Sequence, residues 1–312
     1  MSTAASGIAG LVPIVATPFD AEGRLDEDSL RREVEFLVRA GVDGVTVFGV
    51  AGEFYAMSDA ERARGVRVAV EQAAGRVPVI AGTGHTGTEV AVALSRAAEE
   101  AGAAAVMLIM PFFIRPDAAG VYAYCAAVAK AISVPIMVQD QPQTTGVALP
   151  VSLLVRMARE LVGVRLAKIE TPAPVGKIAE LVAASEGALI VLGGMAGVHL
   201  LEEVRAGSAG TMPAALMPHV YRAVWDAARA GQRERAHRLF TRYFPLIRLT
   251  NQPGLGPSLV KALLHWAGII DTPYVRGPAP TPDATTLRAL RETAEALSLF
   301  EIMAGRAAVA DV

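Results

Sequence analysis

A (β/α)8 barrel followed by additional C-terminal helices is the fold this sequence predicts, on three observations. Apolar runs of strand length recur eight times at roughly 20 to 33 residue intervals, with a helix-length segment between each pair. Several runs are near-continuous hydrophobes, such as Val77-Pro-Val-Ile-Ala and Val106-Met-Leu-Ile-Met, the pattern of strands buried on both faces of a parallel sheet. The intervening segments carry helix start and stop signals, and alternating strands and helices argue for parallel pairing whichever way the sheet closes.

The runs begin near Leu11, Val45, Val77, Ala105, Val134, Val164, Leu189 and Gly210. After the first, Asp26 opens a helix whose apolar positions Leu30, Val34, Leu37 and Val38 share a face, and Gly41 ends it. After the second, Ser58-Asp-Ala-Glu61 reads as a capping box, and that helix stops at Gly75. The third helix runs from about Thr88 to Gly102. Each stop glycine is followed within about three residues by a new strand. Beyond Ala214 the strands cease, and helices are predicted near 216–230, 232–248, 256–267 and 283–299. The first should close the barrel and the others should pack outside it. The expected organisation is a barrel over 8–230, a helical extension over 231–300 and a frayed tail over 301–312.

A chain of 312 residues with 53% hydrophobic content buries a substantial core. Its net charge of −2 carries no electrostatic footprint for nucleic acid or an anionic membrane. The longest apolar stretch, from Val121 to Val138, is interrupted by Lys130, Ser133 and Pro135, short of the about 18 residues a spanning helix needs. The opening Met1-Ser-Thr-Ala-Ala-Ser-Gly lacks the charged and apolar regions of a secretory signal, so a cytoplasmic location is expected. Cys125 is the only cysteine and reads as a small core hydrophobe; the five histidines show no metal-ligand spacing. No metal is expected, and the expected partners are small molecules or copies of the chain itself.

Only four lysines stand against 25 arginines. Lys130, Lys177 and Lys261 fall in predicted helices, where a solvated ammonium is ordinary. Lys168 instead closes the extended run Val164-Arg-Leu-Ala-Lys168-Ile-Glu170, where a cation must leave water. That position suits a nucleophilic amine directed at a carbonyl, or a salt-bridged lysine at a strand end. In a barrel the site lies at the C-terminal mouth. The strand ends place there Lys168, the carboxylates Glu53, Asp140 and Glu170, the amide Gln139, and His85. Residues i and i+2 share a strand face, so Lys168 and Glu170 should both point inward, as nucleophile and proton carrier or as a structural ion pair. The loop Gly49-Val-Ala51-Gly52-Glu53 brings backbone amides close to a ligand carboxylate, or is a plain tight turn. Gly82-Thr-Gly-His85-Thr-Gly87 matches a dinucleotide fingerprint, but the next strand ends at Pro111-Phe-Phe113 rather than on an acid. That argues against a nicotinamide cofactor and leaves His85 to contact substrate or cap a helix.

These residues resemble the dihydrodipicolinate synthase and N-acetylneuraminate lyase family of Schiff-base-forming barrels. The carriers are Val12-Pro-Ile-Val-Ala-Thr-Pro-Phe19, Gly49-x-x-Gly-Glu53, Gly82-Thr-Gly84, Pro142 with Thr145-Gly146, Lys168 and Val275-Arg-Gly-Pro278. The resemblance implies an imine between Lys168 and the ketone of a 2-oxo acid, its carboxylate held by amides near Ala51 and Gly52. It further implies no metal or organic cofactor, and a homo-oligomer, commonly a tetramer. Departures bear on the substrate: Val50 and Ala51 stand where the synthases carry threonines, and Phe113 and Gln139 where they carry tyrosines. Ile136-Met-Val-Gln-Asp140, Lys168-Ile-Glu-Thr-Pro172 and His85-x-x-Thr88 are similar instead to the 2-keto-3-deoxyarabonate dehydratase branch, where a glutamate two residues past the lysine carries the proton. By that resemblance Lys168, Glu170 and Gln139 are catalytic, and Ala51, Gly52, Asp140, His85, Gly194 and Met212 contact substrate. The expected activity is dehydration of a 2-keto-3-deoxy sugar acid. A pyruvate-dependent aldolase and a non-catalytic 2-oxo-acid-binding barrel are the alternatives.

Overall fold

The computed structural model describes residues 7–310. Its strands are β1 (Gly10–Leu11), β2 (Val45–Val47), β3 (Val79–Gly82), β4 (Ala105–Ile109), β5 (Ile136–Asp140), β6 (Val164–Ile169), β7 (Ile190–Gly193) and β8 (Gly210–Thr211). They lie in the parallel order β1-β8-β7-β6-β5-β4-β3-β2. Ile14 closes the ring, bridging to Thr46 on one side and to Ala214 on the other. The architecture is a (β/α)8 barrel.

β3 and β5 begin at Val79 and Ile136, slightly later than the apolar runs, because Pro78 and Pro135 have no N–H to donate to the ladder. Their carbonyls still accept, from Val45 at 3.0 Å and Val106 at 3.0 Å. The barrel helices are α1 (Glu27–Arg39), α2 (Asp59–Ala73), α3 (Thr88–Glu100), α4 (Ala118–Ala131), the short α5 (Pro142–Thr145), α6 (Val151–Glu160), α7 (Pro174–Ser185), α8 (Leu200–Arg205) and α9 (Pro218–Arg229). Asp26 caps α1 by accepting from the Ser29 amide, and the Ser58–Glu61 box at α2 is reciprocal, each side chain accepting the other's backbone N–H.

Two apolar regions result. Between strands and helices lies the main core; inside the ring, Ile8, Val12, Ile80, Met107, Met137 and Leu166 fill the barrel below its mouth. The extension is α10 (Arg233–Thr250), α11 (Gly256–Trp266), α12 (Ala284–Ala296) and α13 (Leu299–Met303). Two expectations about it need correction. The predicted tail is not frayed from residue 301, because α13 extends into its first three residues and buries Ile302 and Met303; residues 311–312 lie outside the described part. Nor does the extension only pack outside the barrel: the connection between α10 and α11 reaches across its mouth.

Candidate active site

Lys168 stands on β6 opposite Gln139 of β5 and Leu192 of β7, with only 3% of its surface exposed. It faces a cavity of about 540 Å3 at the barrel mouth. Ile14, Met212 and Ala214 form the floor, Val50, Ala51 and Tyr55 one wall, and Gln139, Gln141 and Gln143 another. Asn251 and Gln252 reach in from the extension.

The Glu170 carboxylate is clamped. One oxygen, Oε2, lies 2.9 Å from Lys168 Nζ and accepts from Gln139 Nε2 at 2.7 Å. The other, Oε1, accepts the Met195 backbone N–H at 2.7 Å. Burial opposes the charge, but the Lys168 ammonium and these donors outweigh it and hold the Glu170 carboxyl below its ordinary range. Gly194 is what makes room. A Cβ there would lie 2.4 Å from Glu170 Oε1, so Gly194 borders the carboxylate rather than the cavity. Behind this turn sits Glu203, which burial pushes up to about 8; its carboxyl accepts from the Gly194 amide at 3.4 Å and from the Thr211 hydroxyl at 3.4 Å.

Lys168, Glu170, Gln139, Ala51 and Met212 thus meet around one cavity, with Gly194 beside them. Besides Gly194, three expected substrate contacts do not line the cavity. Asp140 follows Gln139 by one residue, and strand alternation turns it outward, where it pairs with Lys177 at 2.5 Å and accepts from the Leu149 amide. His85 lies outside the cavity and accepts the Gly87 N–H through Nδ1 at 3.0 Å, securing the entry to α3. Gly52 donates its own N–H to the Gly49 carbonyl at 2.9 Å and receives the Thr17 hydroxyl on its carbonyl, so it builds the turn that presents Val50 and Ala51.

Glu53 turns away as well. It is fully buried against Lys261 of α11, itself fully buried, and accepts the Arg276 backbone N–H at 3.1 Å. Lys261, expected to be solvated, instead donates to the Tyr274 carbonyl at 2.8 Å and lies over the Phe19 ring. Burial lowers its pKa against the opposing pull of Glu53 and Glu33. This pair pins the extension to the turn that lines the cavity. Replacing Lys261 by methionine is expected to cost about 3–5 kcal/mol, because it leaves a buried carboxylate without its partner, and adding Glu53→Gln should restore part of the loss. Equilibrium urea denaturation reads both. A single-variant loss below about 1 kcal/mol would show that the charge at 261 is dispensable.

Gln143, Met195 and Asn251 carried no chemical signal in the sequence. Gln143 donates to the Glu170 carbonyl at 2.7 Å and to the Met195 sulfur at 3.0 Å, and Met195 gives the carboxylate a backbone N–H, which any residue but proline could supply. Asn251-Gln-Pro-Gly reads as a turn between helices, and only the tertiary fold carries it to the mouth. Among the described residues, no group of three histidine, cysteine or acidic side chains is arranged to hold a metal ion, and no helix is long and apolar enough to cross a membrane.

Residues 7–297 match the dihydrodipicolinate synthetase family. The chain is similar to the L-2-keto-3-deoxyarabonate dehydratase of Azospirillum brasilense, 37% identical over 275 residues that cover 87% of this chain and 88% of the relative. It is also similar to the 4-hydroxy-tetrahydrodipicolinate synthase of Xanthomonas campestris pv. campestris, 35% identical across 95% of this chain and 99% of the relative. Among solved structures, dihydrodipicolinate synthase from Aquifex aeolicus superposes with a TM-score of 0.89 at 28% identity, covering 94% of this chain and 99% of that one.

Proposed function

The chain belongs to the dihydrodipicolinate synthetase family and is a lyase, and from that premise we propose that it dehydrates a 2-keto-3-deoxy sugar acid through an imine on Lys168. The observation that carries this reading is the Glu170 carboxylate, 2.9 Å from the amine.

Lys168 first gives its ammonium proton to solvent; the freed amine adds to the C2 ketone, and loss of water from the adduct leaves an iminium. The substrate carboxylate lies along the turn of Val50 and Ala51, where backbone amides suit an anion. The iminium draws electrons from C3, so the C3 proton becomes acidic. Glu170, held beside the nitrogen, is close to that carbon and takes the proton, giving an enamine. The enamine then expels the C4 oxygen as its C–O bond breaks, provided that oxygen receives a proton. Glu170 is the only carboxyl among the described residues lining the cavity, so the proton it has just accepted is the one returned, and the hydroxyl leaves as water. Hydrolysis of the conjugated imine frees the amine and an unsaturated 2-oxo acid. An aldol cleavage would require the base to reach the C4 hydroxyl first; a carboxylate anchored at the nitrogen favours C3. Gln139 cannot shuttle a proton, and its amide instead orients the carboxylate. The dehydratase among the similar proteins supports the same direction.

The test is borohydride reduction and product analysis over a panel of 2-keto-3-deoxy pentonates and hexonates. The expected result is substrate mass trapped on Lys168 and a product lighter than substrate by one water. Pyruvate and a hydroxyaldehyde in its place would make the enzyme an aldolase, and trapping without turnover would make it a binding barrel.

A further inference from the structure

Resting on the 2-oxo-acid reading above, we infer that Asn251 and Gln252 select substrates whose far end is uncharged and hydroxylated, and that a second carboxylate is rejected. Lys168 is the sole cation among the described residues that line the cavity, and imine formation commits its nitrogen to C2. Glu170 is the sole anion. A second substrate carboxylate would therefore enter a partly enclosed site with no cation beyond the iminium at C2 to meet it and one carboxylate to repel it.

The rest of the lining offers neutral hydrogen-bonding groups instead, among them Gln141, Gln143, Thr144, Asn251 and Gln252. Three of these amides are already oriented by one half of the group. Gln141 accepts from Gln139 at 3.1 Å, Gln143 donates to the Glu170 carbonyl at 2.7 Å, and Gln252 donates to the Leu249 carbonyl at 2.8 Å. The opposite half of each amide, a donor on Gln141 and an acceptor on Gln143 and Gln252, suits hydroxyl groups, which both donate and accept. The 251–255 connection belongs to the extension, so tail recognition is supplied by an element other than the one that supplies the amine.

The experiment compares three substrates: a 2-keto-3-deoxypentonate, its 5-deoxy analogue 2-oxo-4-hydroxypentanoate, and the diacid 2-oxo-4-hydroxyglutarate. The wild-type enzyme should prefer the hydroxylated acid by about 10-fold in kcat/KM over the 5-deoxy analogue, as two modest hydrogen bonds provide, and by more over the diacid. In Asn251→Ala/Gln252→Ala, KM for the hydroxylated acid should rise about 10-fold with kcat little changed, while KM for the 5-deoxy analogue stays put. Asn251→Arg, on an exposed residue, should raise kcat/KM for the diacid. Equal use of acid and diacid by the wild type, or an equal loss on both monoacids in the double variant, overturns the inference. Borohydride trapping of pyruvate on Lys168, run on every protein, separates this from failure of the imine reading: trapping persists if only the tail assignment is wrong and is absent throughout if the imine is.

Discussion

Lys168→Ala is expected to lower turnover by at least about 10^4-fold and to abolish borohydride-dependent labelling by any 2-oxo acid. The reason is chemical rather than structural. Without the amine there is no covalent electron sink, and the C3 proton of the free ketone must leave toward an enolate for which the cavity offers no cation. The fold should survive, since β6 keeps its backbone ladder and Glu170 keeps the Met195 amide and Gln139 as donors. The remaining carboxylate loses its counter-charge, so its pKa should rise from its depressed value. Circular dichroism guards against misfolding. A correctly folded variant within tenfold of wild-type turnover would rule out the imine.

Glu170→Gln separates binding from proton transfer. The amide carbonyl can still accept the Met195 N–H, while the NH2 replaces the oxygen that faced Lys168 and Gln139, so Gln139 must turn its own carbonyl toward it; the amine itself is untouched, and pyruvate should still be trapped on Lys168. Turnover should fall by about 10^2 to 10^4-fold, the usual contribution of a positioned acid–base group. The pH profile provides a second readout. Because the folded-state pKa lies below the ordinary glutamate value of 4.5, the carboxylate persists as pH falls through that value. The acid limb of kcat/KM that belongs to Glu170 should therefore lie below pH 4.5 and vanish in the variant. The same depression contributes stability above the unfolded glutamate pKa that is lost as pH falls through the folded one. Unchanged turnover in Glu170→Gln would reduce this residue to an ion-pair partner.

The barrel was legible because each βα unit repeats the same local grammar, and its strands begin within a few residues of the apolar runs. Lys168 and Glu170 were legible for a different reason: two ionisable residues spaced by two at the end of a mainly apolar extended run must share a face. The same alternation rule, applied to Gln139 and Asp140, sends only one of them inward. Lys261 was misread because helical periodicity says which residues share a face but not what that face meets. The extension folds back on the Glu53 turn, so its inner face meets a carboxylate instead of water. The tail-facing wall depends on long-range packing between residues near 140 and 250, and no local pattern encodes that meeting.

Gly194 bears on how this barrel can diverge. The Glu170 carboxylate occupies the volume that any side chain at 194 would claim. The two positions are therefore coupled in this chain: bulk at 194 would displace the acid or cost it its grip on the neighbouring amide. In this barrel, the smallness of that one residue is what lets a carboxylate stand ready beside the lysine.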